Sequence, residues 1–485
     1  MNLFKRFSSS GGLQAGIAFA GRASQQITGL AVTVLAASFL APGDYGVFML
    51  ATAFAMLLQS LSYSGVFHFI AREDDQQDGF FSTCFWVMVL VALAGSALLA
   101  AAAPLLGYAF GAPEFATILL WLLLDQVIGI PIAWISAVLI RREELTKLYS
   151  INIVSNLVSF ALGVGAIYLW NSVYALVVYR FICTITGLLL FSWFTQLLPG
   201  WKFNRKTAAE AFRYSTGIYG SRGLTFFSQY GADLILGFAF STHEVGLFRF
   251  ANRIVTAAVE GVCQPLANFS VMQFSADHRR NASLSTTYLR FLSSTFLMVG
   301  IVCISIAILI EPSVSTFFGQ QYQGAIWVAY ALCIGRFLQT PDSFVVPSLA
   351  ATGKTNTVFW FTSAKLAIST ILLFSTAPFG LYAVTNGQAV AMALTGLAAA
   401  ILIARNLHTD TRQMLLVLGR TAVLLTGFAL VSWLTVQGVL QWGGTTRLIA
   451  FLACCCVGAY ALASIFVGVK QNVLSMKIFA KSQNA

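Results

Sequence analysis

Eleven ionisable side chains in this chain stand inside long apolar runs, where a charge is expensive and seldom idle. Seven are cations: Arg22, Arg180, Arg222, Arg249, Arg253, Arg336 and Lys365. Four are anions: Asp125, Asp233, Glu260 and Asp342. The set is net positive. Guanidinium groups hold phosphate and carboxylate oxygens through paired, charge-assisted hydrogen bonds, while a lysine supplies a point charge. The chemistry to expect is recognition of an anionic group in a wet interior. Arg22, Arg222, Arg249, Arg253, Arg336 and Lys365 are the candidate binding residues. Gln25, Gln26, Asp125, Arg180, Gln229, Asp233, Glu260 and Asp342 are candidates for the polar lining and its ion pairs.

Spacing puts several of these residues on shared faces. Arg22, Gln25, Gln26 and Gly29 fall on one stripe of a helix. Arg222, Gln229 and Asp233 do the same, as do Arg249, Arg253, Thr256 and Glu260. The structural alternative for Arg22 is to reach the headgroups with its stem. That reach is roughly 13 Å at about 1.5 Å per residue, which favours an interior role. Arg180 enters from the opposite side, and both readings stand for it. Arg336 and Asp342, six residues apart, point away from each other on an unbroken helix. The lone His68 reads as an interfacial residue and not as a proton carrier.

The elements that carry these residues are membrane helices. Of 485 residues, 58% are hydrophobic and only 9% are charged, which excludes a soluble globular domain. Runs of about 20 apolar residues give fourteen spans. They are 13–40, 46–70, 80–108, 114–140, 148–169, 172–197, 214–240, 244–271, 285–310, 323–350, 356–376, 380–404, 414–437 and 447–468. The fold class expected is an all-α polytopic membrane protein.

The net charge of +11 is not a nucleic-acid signature, because of where it sits. Alternate connections collect the cations, among them Arg141, Arg142 and Lys147, then Lys202, Arg205 and Lys206, then Arg279 and Arg280. The other connections hold only Arg447. This positive-inside pattern predicts an even number of spans with both termini in the cytoplasm. Arg22, Gln25 and Gln26 interrupt what would be the apolar core of a signal peptide, so no cleavable leader is expected.

The chain also repeats itself. Asp44-Tyr45-Gly46-Val47-Phe48 has a twin in Glu244-Val245-Gly246-Leu247-Phe248, at an offset of 200 that also pairs Arg22 with Arg222. Pro131 and Pro341 recur in equivalent spans and predict matched kinks. The division expected is a first lobe over 1–200 and a second over 201–405. Residues 406–485 would add two appended spans and a tail. The basic link Trp201-Lys202-Phe203-Asn204-Arg205-Lys206 suits the cytoplasmic headgroup layer.

Catalytic constellations are missing. Gly353-Lys354-Thr355 resembles the end of a phosphate-binding loop, but Ser348 stands where its first glycine belongs. The histidines and the eight cysteines make no metal-ligand spacing, so no metal, no cofactor and no disulfide is expected.

Taken together, the short-loop fourteen-span layout, Arg22-Ala23-Ser24-Gln25-Gln26 and the turn Leu40-Ala41-Pro42-Gly43-Asp44-Tyr45-Gly46-Val47-Phe48 with its twin resemble a known family. It is the O-antigen and exopolysaccharide flippases of the multidrug/oligosaccharidyl-lipid/polysaccharide exporter superfamily, with most similarity to exopolysaccharide exporters of the succinoglycan type. The resemblance implies a non-enzymatic flippase of the bacterial inner membrane that works as a monomer by alternating access. It implies undecaprenyl-pyrophosphate-linked oligosaccharide as cargo, membrane lipids as surroundings, and a polysaccharide polymerase and co-polymerase as partners. Three alternatives remain open from the residues: a cation-coupled drug or metabolite exporter, a peptidoglycan-precursor flippase, and a membrane enzyme of polysaccharide assembly.

Overall fold

A computed structural model describes residues 11–72, 79–142, 144–170, 172–280 and 282–440. Long helices dominate them, and no strand occurs among them. Ten of these helices are long and apolar enough to cross a membrane. The protein is an all-α, multi-pass membrane protein. The fourteenth span read from sequence, 447–468, lies outside the described residues, as do Cys454, Cys455, Cys456 and the acidic segment around Glu73.

The helices fall into two compact units, Met1–Arg249 and Phe250–Ala485. The first contains α1 (Gly11–Phe39), α2 (Pro42–Arg72), α3 (Phe80–Ala109) and α4 (Glu114–Ile128). It continues through α5 (Ile130–Arg141), α6 (Leu145–Trp170), α7 (Val173–Thr195) and α8 (Arg205–Ala239) to the start of α9 (Thr242–Arg279). Helix α2 is its centre, packed against α3, α4, α5 and α8, while α6 lies between α1 and α7. Phe69, Phe80, Phe85, Met88, Trp134 and Phe191 make a continuous aromatic-rich core there. Leu98 and Leu105 of α3 stay exposed at 73% and 71%. An apolar outer surface is natural where the solvent is hydrocarbon.

The sequence places a boundary at 200/201, whereas the packing keeps α8 with the first unit. The cause is close contact: α8 runs antiparallel to α2, with Gly65 against Ser215 near one end and Leu50 against Gly237 near the other. The twin turns supply the tightest approach. A Cβ on Gly46 would overlap the carbonyl oxygen of Thr242, and one on Gly246 would overlap that of Pro42. Only glycine admits both contacts.

Pro42 and Gly43 are not the turn itself. Pro42 opens α2, where its missing N–H costs nothing, and Asp44 lies in the first turn, favoured by the helix dipole. Thr242 and Glu244 hold the same places in α9. The basic link before α8 is anchored on α3. Gly200 N donates to Ser82 Oγ at 3.0 Å, Trp86 Nε1 donates to the Gly200 carbonyl at 3.0 Å, and the Trp86 and Trp201 rings lie 5.2 Å apart.

The second unit takes the rest of α9 and α10 (Leu284–Ser313), α11 (Gly324–Leu338), α12 (Val345–Ala351), α13 (Thr355–Thr376), α14 (Leu381–Asn406) and α15 (Thr411–Leu440). Helix α14 packs against α11 and α13, and α10 against α11 and α15. Tyr288, Phe291, Phe344 and Ile403 lie in its core. The two prolines act as their positions predict. The chain breaks at Gly129, with Pro131 in the first turn of α5, and tightens into a 3₁₀ turn over Thr340–Phe344 containing Pro341.

Candidate functional site

The first unit pairs two of its intramembrane acids with arginines. Asp125 of α4 is 2% exposed and meets Arg180 Nε of α7 at 3.8 Å. The break at Gly129 lies one turn away, and Tyr63 of α2 donates to the Gln126 carbonyl there at 2.6 Å. Asp233 of α8 is fully buried and ion-paired with Arg249 of α9. The Arg249 guanidinium also sits over the Tyr230 ring, 4.4 Å from its centroid. Arg249 is therefore committed within the α8–α9 hairpin.

Arg222 of α8 is different. It contacts His68 Nε2 of α2, at 3.4 Å from a guanidinium nitrogen. No carboxylate pairs with it among the described residues. Arg22, Gln25 and Gln26 lie on α1, Gln25 exposed and Gln26 partly buried. The side chains of Arg22 and Gln229 are outside the described residues.

The second unit has an open-sided cavity of about 390 Å³ between α9, α11, the 3₁₀ turn and α13. Glu260, Arg336, Asp342 and Lys365 all line it. Asp342 and Lys365 form an ion pair, and Gln339 Nε2 approaches the same carboxylate oxygen at 3.5 Å. Arg336 donates to Thr256 Oγ1 at 3.0 Å, and Thr256 donates to Asn252 Oδ1 at 3.0 Å. Asp342 lies in the 3₁₀ turn, off the end of the helix that carries Arg336, and each finds its partner on another helix. Arg253, one turn beyond Arg249, has no ion-pair partner among the described residues.

Sequence reasoning brought Glu260, Arg336, Asp342 and Lys365 forward singly, and the fold brings them together. It missed Tyr230, Asn252 and, in the neutral lining, Gln264 and Ser343. A signal existed for part of this. Asn252, Thr256, Glu260 and Gln264 step by four along α9, a polar stripe continuing past the residues noted there.

Broken mid-length helices, buried charge pairs and an apolar exterior define a multi-pass membrane fold. A structure of the lipid II flippase MurJ in an inward closed conformation superposes with a TM-score of 0.72 and 15% identity, over 95% of this chain and 99% of that one. An inward-facing multidrug resistance MATE family transporter follows at 0.63 and 15%, over 79% of this chain and 94% of that one. The sequence between residues 34 and 327 matches the family described as polysaccharide biosynthesis protein, so the chain belongs to that family. The teichuronic acid biosynthesis protein TuaB of Bacillus subtilis (strain 168) is 22% identical over 355 residues, 68% of each chain.

Proposed function

We propose that this chain carries undecaprenyl-pyrophosphate-linked oligosaccharide repeat units from the inner to the outer leaflet of the bacterial inner membrane. It performs no bond chemistry, opens alternately to the two sides, and hands its cargo to a polymerase and co-polymerase. Both termini are cytoplasmic. The single observation that carries this reading is the polysaccharide-biosynthesis family match on a transporter fold. Arg222 supports the site assignment: it is a cation of the first unit left without a carboxylate among the described residues. A diphosphate needs donors and positive charge, and a guanidinium supplies both. The repeat offset assigns Arg22 the matching role in α1. The lobes 1–200 and 201–405 are proposed as the moving bodies, which requires α8 to part from α2 in one of the two states.

The test is export in cells and leaflet accessibility of the lipid-linked unit. Arg222→Ala and Arg22→Ala are expected to leave the protein in the membrane while the unit stays on the inner leaflet. Arg→Lys at either position should recover part of the flux, since charge stays while the paired hydrogen bonds go. Normal export by abundant Arg→Met variants at both positions would overturn the gripping role.

A further inference from the structure

The cavity of the second unit is built for something other than a diphosphate. Its four charged residues, Glu260, Arg336, Asp342 and Lys365, sum to zero. Asp342 and Lys365 already satisfy one another. Glu260 makes no ion pair within 4 Å among the described residues, although it lies close enough to Arg336 to feel its charge. Arg336 spends one nitrogen on Thr256, while its buried Nε has no hydrogen-bond partner. Gln264 and Gln339 add two primary amides to the same walls, each both donor and acceptor.

Each ligand class can be weighed against that inventory. A diphosphate offers acceptors only and would meet the Glu260 carboxylate with like charge. A bare metal cation would meet Arg336 and Lys365. An apolar drug would leave the carboxylate, guanidinium and amides without partners, a desolvation cost for every group covered. A neutral polyhydroxyl ligand suits all of them at once. Each hydroxyl donates and accepts, so neighbouring hydroxyls can give to Glu260, receive from Arg336, and exchange bonds with the amides. The volume, about 390 Å³, lies at the small end of ligand pockets, which run from about 300 to 1,000 Å³. That is room for a mono- or disaccharide.

We propose that this cavity is a saccharide subsite that binds neutral pyranose rings through Glu260, Gln264, Arg336 and Gln339. The proposal rests on the flippase reading and deepens it: the glycan of the cargo is read in the second unit, apart from the arginines assigned to its diphosphate.

The experiment uses the full-length protein in nanodiscs. The probes are methyl glucopyranoside, methyl galactopyranoside, cellobiose and lactose, followed by saturation-transfer NMR and calorimetry. At least one is expected to bind saturably, with a dissociation constant of about 1–10 mM, the weak regime of a few polar contacts. Glu260→Gln, which keeps shape and exchanges an acceptor pair for an amide, should weaken that binding at least tenfold, as should Gln264→Leu. Thermal melts matched to the parent exclude misfolding as the cause. Inorganic diphosphate should not displace the sugar. Failure of every probe to bind, equal binding by both variants, or competition by inorganic diphosphate would each overturn the subsite. Translocation of lipid-linked repeat units is measured separately in vesicles. Flipping without glycoside binding sinks the subsite alone, whereas glycoside binding without flipping supports the subsite and sinks the flippase reading.

Discussion

Asp233 and Arg249 show how a buried charge pair constrains which cations are available. The Asp233 side chain is 1% exposed and that of Arg249 15%, so neither can be left alone at low cost. Removing one partner of a buried pair typically costs about 3–5 kcal/mol, whereas replacing both with apolar residues of similar volume is near neutral. Asp233→Ala or Arg249→Ala is therefore expected to lower the melting temperature and membrane abundance sharply. The double variant Asp233→Leu with Arg249→Met should recover most of both. Parental stability of the single variants, measured in detergent, would return Arg249 to the pool of cargo-binding cations. The polar stripes of α8 and α9 were legible in the sequence, but this partnership was not drawn from them. It follows from the hairpin: two antiparallel helices oppose residues equidistant from their link, and Asp233 and Arg249 each stand eight residues from Ser241. Stripe analysis looks along one helix and misses pairs across a turn. For the same reason the sequence places Lys365 and Asp342 in the interior one by one, while their pairing, from α13 to the 3₁₀ turn, is not legible along either segment.

Among the elements, α2 and the start of α9 depend on glycine where the twin turns meet. Gly46→Ala and Gly246→Ala each place a methyl carbon on a backbone carbonyl that cannot rotate away. Overpacking of this kind costs about 1–3 kcal/mol or forces the helices apart. Gly43→Ala is the control, because its nearest neighbour would be Thr242 Oγ1 at 3.8 Å, an ordinary contact. Thermal melts should show losses at 46 and 246 and little change at 43. Equal losses at all three would mean that helix packing is not the cause. The sequence carried the repeat and so the likeness of the two turns. It could not show that they touch, since a repeat specifies equivalent local shapes and leaves their pairing to tertiary structure. The helix breaks were readable to within two residues because proline acts locally. Helix α8 begins at Arg205, well before the apolar run at 214, because hydropathy marks the buried length and not the hydrogen-bonded one.

At the scale of the whole molecule, charge is expected to set both orientation and energy supply. The cation asymmetry predicts that reporters fused after Phe203, His278 and Thr409 read cytoplasm, and that those after Gly43, Thr242 and Gln320 read periplasm. A periplasmic signal at Phe203 would overturn the even count of the first half. The same distribution bears on what drives transport. Gly353-Lys354-Thr355 connects α12 to α13, with Gly353 at φ 75° and Lys354 Nζ donating to Asn406 Oδ1 at 2.8 Å. That is a helix-to-helix turn with its lysine engaged, whereas a phosphate loop joins a strand to a helix and leaves the lysine for the nucleotide. The expectation is that energy comes from gradients. Moving one elementary charge through the membrane potential is worth about 2.3 kcal/mol per 100 mV, enough to bias a two-state carrier by more than tenfold. A diphosphate carried past cationic side chains moves such charge. Vesicles holding the purified protein should therefore flip lipid-linked units without ATP, at a rate that changes when valinomycin and potassium set the potential. Translocation that requires added ATP, or that ignores both potential and ion gradients, would sink this account of the driving force.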